Sequence, residues 1–103
     1  MVEKDKTIIN LMNRLKTFFE MSSVEFVDYW DGDLCAIGLK RQERLVYIST
    51  YAYLKEENLK YDYSLEIDRL VETQKLNIIK DVQGINEVEL ISTLRQFLCL
   101  TTK

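Results

Sequence analysis

Between Val24 and Tyr53, three short apolar runs follow one another, interrupted only by the pair Asp31-Gly32 and the charged stretch Lys40–Arg44. This reads as a β-meander. An Asp-Gly pair tolerates the positive φ angles of tight turns whose twist matches the flanking strands, so Asp31-Gly32 joins the first run to the second. Leu34 to Leu39 carries no polar side chain, the mark of a central strand buried on both faces, and Gly38 within it predicts a bulge or the close approach of a covering helix. Leu45 to Tyr53 supplies the third strand, with Leu45, Tyr47, Ser49, Tyr51 and Tyr53 alternating against Val46, Ile48, Thr50 and Ala52.

On either side of the meander the period changes. From Asp5 to Met21, Ile8, Leu11, Met12, Leu15, Phe18 and Phe19 recur at three- and four-residue steps, which places them on one helix face, with Ser22 and Ser23 closing the helix. Leu59, Tyr61, Tyr63, Leu65 and Ile67 alternate strictly with polar residues, so a fourth strand should turn one face to water. Leu70 to Val82 fits either a helical stripe or a fifth strand, and the strand is favoured. Asn86 with Glu89 three residues on resembles a capping box, ahead of Val88, Leu90, Ile91, Leu94, Phe97 and Leu98 at helical spacing. The order predicts an α+β fold: a mainly antiparallel four- or five-stranded sheet, with an N-terminal and a C-terminal amphipathic helix on one face. With no proline, repeat or low-complexity tract to mark a linker, residues 1–103 read as a single domain.

Composition narrows the chemistry by exclusion. Histidine is absent, which removes the commonest general base, the commonest zinc ligand and every Ser-His or Cys-His nucleophile pair. A net charge of -3 gives no pull toward a phosphate backbone, so nucleic acid is disfavoured as a partner. The charged start MVEKDK and the lack of any long apolar run predict neither a secretory signal nor a membrane span, and the expected location is the cytoplasm. Cys35 and Cys99 are expected to stay reduced, Cys35 as inert core. No cofactor or metal is expected, and the basic turn Lys40, Arg41 and Arg44, diluted by Glu43, reads as solvated.

The densest polar and aromatic cluster is Asp28-Tyr29-Trp30-Asp31-Gly32-Asp33. As a calcium loop it fails, because Trp30 takes a ligand position and the loop counted from Asp31 would close on Gln42 rather than glutamate. As a catalytic carboxylate pair it would need a cleft holding at least two of Glu25, Asp28, Asp31 and Asp33. As a contact surface it has large rings that bury area at little entropic cost, beside acids that steer a basic partner. Tyr47, Tyr51, Tyr53, Tyr61 and Tyr63 would extend that surface if their strands lie side by side. The expected partner-binding residues are therefore Asp28, Trp30, Asp31, Asp33, Tyr61 and Asp62.

In size, acidity and helix-sheet-helix layout, with Tyr29-Trp30-Asp31-Gly32-Asp33-Leu34 and Leu45-Val46-Tyr47-Ile48-Ser49-Thr50 as the prompting segments, the chain resembles the small immunity proteins that bacteria pair with toxins. The resemblance implies a non-enzymatic inhibitor that docks on a protein partner, a basic toxin domain, through an acidic and aromatic face. Two other readings stand beside it: a homo-oligomer or subunit of a larger assembly in which the tyrosine face pairs with itself, and a small hydrolase working with carboxylates alone.

Overall fold

The computed structural model describes residues 4–28, 32–68 and 76–103. Helix α1 spans Lys6–Phe18 and α2 spans Glu87–Leu98; between them strands β2 (Glu25–Val27), β3 (Ala36–Arg41), β4 (Arg44–Ser49), β5 (Tyr61–Asp68) and β6 (Leu76–Ile85) form an antiparallel sheet in sequence order. The fold is α+β, as expected, and Leu76–Val82 belongs to a strand; the rest of that ambiguous stretch, 70–75, lies outside the described residues. Both helices start where side chains can satisfy free backbone N–H groups: Asp5 accepts from Thr7 N, and Asn86 accepts from Glu89 N at 2.9 Å. α1 ends at Phe18, earlier than the serines suggested. Phe19–Glu20 (β1) pairs instead with Thr101–Thr102 (β7), a two-stranded clasp that ties the segment after α1 to the segment after α2.

Register decides which face each strand residue occupies. Leu39 lies opposite Phe26 and Val46, Ile37 opposite Ile48, and Val46 and Ile48 opposite Leu65 and Tyr63. These residues pack with Ile8, Leu11, Leu15 and Phe19 from the N-terminal side and Leu90, Leu94 and Leu98 from α2 in one core. Both helices therefore cover the same sheet face. Ala36, Gly38, Lys40, Leu45, Tyr47, Ser49, Asp62, Ser64 and Glu66 have the opposite parity and form the other face. The central strand is buried on both faces from Ala36 to Leu39, whereas Leu34 lies outside it and is exposed.

Gly38 marks neither a bulge nor a helix approach. A Cβ there would meet Val27 Cγ2 at 2.6 Å, Tyr47 Cδ2 at 2.9 Å and Leu45 Cδ1 at 3.1 Å, so the side chains of the neighbouring strands close over it. Gly84 has a different reason. Its φ of +70° belongs to a bulge in β6, between the pairs Tyr61–Ile85 and Tyr63–Val82, where a side chain would be strained.

The basic turn is not simply solvated. Arg41 donates to the carbonyls of Leu98 and Cys99, and Arg44 donates to Phe97 O at 2.8 Å with its guanidinium 5.3 Å from the Phe97 ring. Two cations thus sit on the carbonyl end of α2, where the helix dipole favours positive charge. Cys99 closes that end in a left-handed conformation, φ 54°, and both cysteines are free.

Candidate functional site

On the sheet face away from the helices, Tyr47 lies at the centre of the sheet, opposite Gly38 on β3 and Ser64 on β5. The sequence puts it there by alternation: Val46 and Ile48 face the helices, so Tyr47 between them cannot. Around it stand Ser49, Asp62, Ser64 and Asp81, which with Ile48 and Tyr63 line a shallow depression of about 170 Å³. Glu25 and Lys40 pair at the β2 end and Glu66 follows Ser64, whose hydroxyl donates to Glu66 Oε2 at 2.8 Å. Among the described strand residues this face carries Glu25, Asp62, Glu66 and Asp81 against Lys40, so its charge is acidic. The arrangement is a broad, half-buried surface with one ring at its centre and carboxylates around it. It suits contact with a protein better than enclosure of a small molecule.

The residues singled out from sequence go to different places. Asp28 forms an ion pair with Lys4, whose Nζ lies 2.7 Å away and whose side chain is 1 % exposed; the same Nζ donates to Asp33 O at 2.8 Å. Asp28 is therefore committed to neutralising a buried lysine, since an ammonium withdrawn from water needs a partner. Asp33 is exposed, but its carboxylate accepts from Cys35 N and shapes the entry to β3. Tyr61 is corrected outright. It faces the helices, is 1 % exposed, and donates its hydroxyl to Glu87 at 2.7 Å, so it offers nothing to a partner. Asp62 does stand on the acidic face, where its Oδ1 accepts from Tyr53 OH at 2.6 Å and from Gly84 N at 3.0 Å, fixing the bulge. Trp30 and Asp31 lie outside the described residues. Of the tyrosines expected to share one surface, Tyr61 and Tyr63 turn into the core and Tyr51 is exposed in a short helical turn, Tyr51–Tyr53. Tyr47 remains on the open face.

Of the carboxylates expected for acid-base chemistry, the three among the described residues do not converge: Glu25 is exposed at the start of β2, Asp28 is held by Lys4 and Asp33 by Cys35 N, while Asp31 lies outside the described residues. Burial, with the charges of Asp5 and Asp33 nearby, pushes the Cys35 thiol above its ordinary pKa, which disfavours the thiolate a nucleophile would need. The strongest polar network is Arg14–Glu87–Tyr61, which joins α1, α2 and β5. Burial alone would raise the Glu87 pKa, but the Arg14 guanidinium and the Tyr61 hydroxyl outweigh it and hold the carboxyl below its ordinary range; burial and the Glu87 bond push Tyr61 well up. Among the described residues, no helix is long and apolar enough to cross a membrane and no group of His, Cys, Asp and Glu is arranged to hold a metal ion.

The chain matches no protein-family model, no curated protein and no solved structure.

Proposed function

We propose that the chain is a non-enzymatic protein-binding domain, an immunity-type inhibitor that receives a basic toxin domain on the sheet face away from its helices. The observation that carries this reading is the placement of Tyr47 at the centre of that face with Ser49, Asp62, Ser64 and Asp81 beside it. A tyrosine there supplies buried area to an interface at little entropic cost, and the surrounding carboxylates speed encounter with a cationic partner and reject anionic ones. Rigidity also favours the reading, because residues on paired strands need little ordering when a partner arrives. At the Asp-rich stretch, by contrast, Asp28 and the Asp33 carbonyl are spent on Lys4.

The test is a titration of the purified chain with the product of the adjacent gene in the source cell, alongside a growth assay in which the two are co-expressed. Wild type is expected to bind and to restore growth. Tyr47→Ala combined with Asp81→Lys, which alters only the open face, is expected to lose both while keeping its folded spectrum. Binding that survives this double substitution would remove the site from the sheet face.

A further inference from the structure

A second surface, on the helix side of the sheet, is left without a partner. Phe18, Phe19, Val88, Ile91, Ser92, Arg95 and Thr102 line an open groove of about 390 Å³ along α2, in which Val88 is 78 % and Phe18 42 % exposed. At 100° per residue, Val88, Ile91, Ser92 and Arg95 form a stripe distinct from the core stripe of Leu90, Leu94 and Leu98. Arg95 lies at the C-terminal end of that stripe and is exposed, and neither the Lys4–Asp28 nor the Arg14–Glu87 ion pair engages it.

We infer that this groove is an interface between two copies of the chain, with α2 packed antiparallel against α2 about a two-fold axis near Ile91 and Ser92. Charge complementarity selects this occupant. The first turn of α2 carries Glu87 and Glu89, and its last turn carries Arg95. Glu87 is held by Arg14 and Tyr61, so Glu89 is the exposed acid of that turn; an antiparallel pair centred at 91/92 sets Arg95 of one copy opposite Val88 of the other, beside the first turn that carries Glu89, and the two helix dipoles oppose. A parallel pair would bring arginine against arginine. Ser92 at the crossing allows close approach, while Val88, Ile91 and Phe18 supply the area withdrawn from water. The acidic sheet face lies on the far side of the molecule, so this pairing leaves it accessible and does not depend on the function proposed for it.

Sedimentation equilibrium of the full chain, up to about 1 mM, reads the association directly. The mass should rise with concentration from 12.2 kDa toward twice that value. Val88→Lys, at an exposed position that the fold tolerates, should raise the dissociation constant about tenfold or more by setting a cation against Arg95 of the second copy. Adding Arg95→Glu should restore association. Within one helix the two positions are about 10 Å apart along the axis, so the rescue can act only between molecules. Tyr47→Ala should leave the association unchanged. A constant mass of 12.2 kDa, an association indifferent to Val88→Lys, a double variant that stays monomeric, or dissociation by Tyr47→Ala would each overturn the inference.

Discussion

Gly38→Ala is the sharpest single perturbation, because it acts on the sheet centre and on the candidate site together. The new methyl would lie 2.6 Å from Val27 Cγ2, 2.9 Å from Tyr47 Cδ2 and 3.1 Å from Leu45 Cδ1. Val27 is the hardest of these to move, since its branched Cβ restricts χ1, and Tyr47 must shift a whole ring. Forcing one methyl into such packing costs about 1–3 kcal/mol. Against this, replacing glycine reduces the entropy of the unfolded chain and returns about 0.4–1 kcal/mol. The net expectation is a loss of about 1 kcal/mol, or a midpoint lowered by about 4–8 °C in a domain of this size. Urea titration and thermal melting measure it. A second substitution, Val27→Ala, should relieve the largest clash, so the double variant should lose less than the two single losses added together. A Gly38→Ala protein as stable as wild type would refute the packing argument, and with it the claim that Tyr47 is held in a fixed position.

Other substitutions test the rest of the architecture. Asp28→Asn should cost about 3–5 kcal/mol in chemical denaturation, because it leaves the Lys4 ammonium buried without its counter-ion; a near-neutral result would return Asp28 to the surface. Tyr61→Phe should cost about 1.5–3 kcal/mol through the lost bond to the Glu87 carboxylate, seen as a lower urea midpoint with unchanged slope. The Glu87 pKa is depressed in the folded state, so its contribution is fully present above the unfolded value of about 4.3 and is lost as pH falls through the lower folded value. Glu87→Gln should flatten the stability profile in that acid window while changing its slope little near neutrality. Arg44→Ala should lower stability by about 1 kcal/mol and raise amide exchange in the last turn of α2 first, since it uncovers Phe97 O.

What the sequence discloses here depends on the range of the interaction. Periodicity is local, so the helices, the alternation from Leu59 to Ile67 and the Asn86 cap are legible. Register is not local. Tyr47 and Tyr63 both read as strand tyrosines, and the pairing of Tyr47 with Ser64 and of Ile48 with Tyr63 fixes which residues of the neighbouring strands share a face with each. Tyr61 differs from Tyr47 in being placed by its own strand's alternation. The alternation from Leu59 to Ile67 already sets Tyr61 on the apolar side and Asp62 on the polar one, so the two cannot serve one contact surface.

The charged residues illustrate a second limit. Lys4 lies in a stretch of alternating charges that looks solvated, and its burial follows from Asp28, 24 residues away, and the Asp33 carbonyl. Arg41 and Arg44 look like a solvated turn, yet they act as the C-terminal cap of a helix more than fifty positions later in the chain. Capping signals usually sit within a turn of the helix they serve, and these do not. The β1–β7 clasp, two residues on each side, is too short to carry a period at all.

The central claim is that the acidic sheet face, and not the Asp-rich stretch or the helix side, receives the protein partner. Backbone chemical-shift mapping of the labelled chain on addition of the adjacent gene's product addresses it in one experiment. The account predicts perturbations centred on Tyr47, Ser49, Ser64 and Asp81, with α2 little changed beyond any shifts from self-association. Perturbations centred on residues 28–33 or along Val88–Arg95, with Tyr47 and its neighbours unmoved, would contradict it.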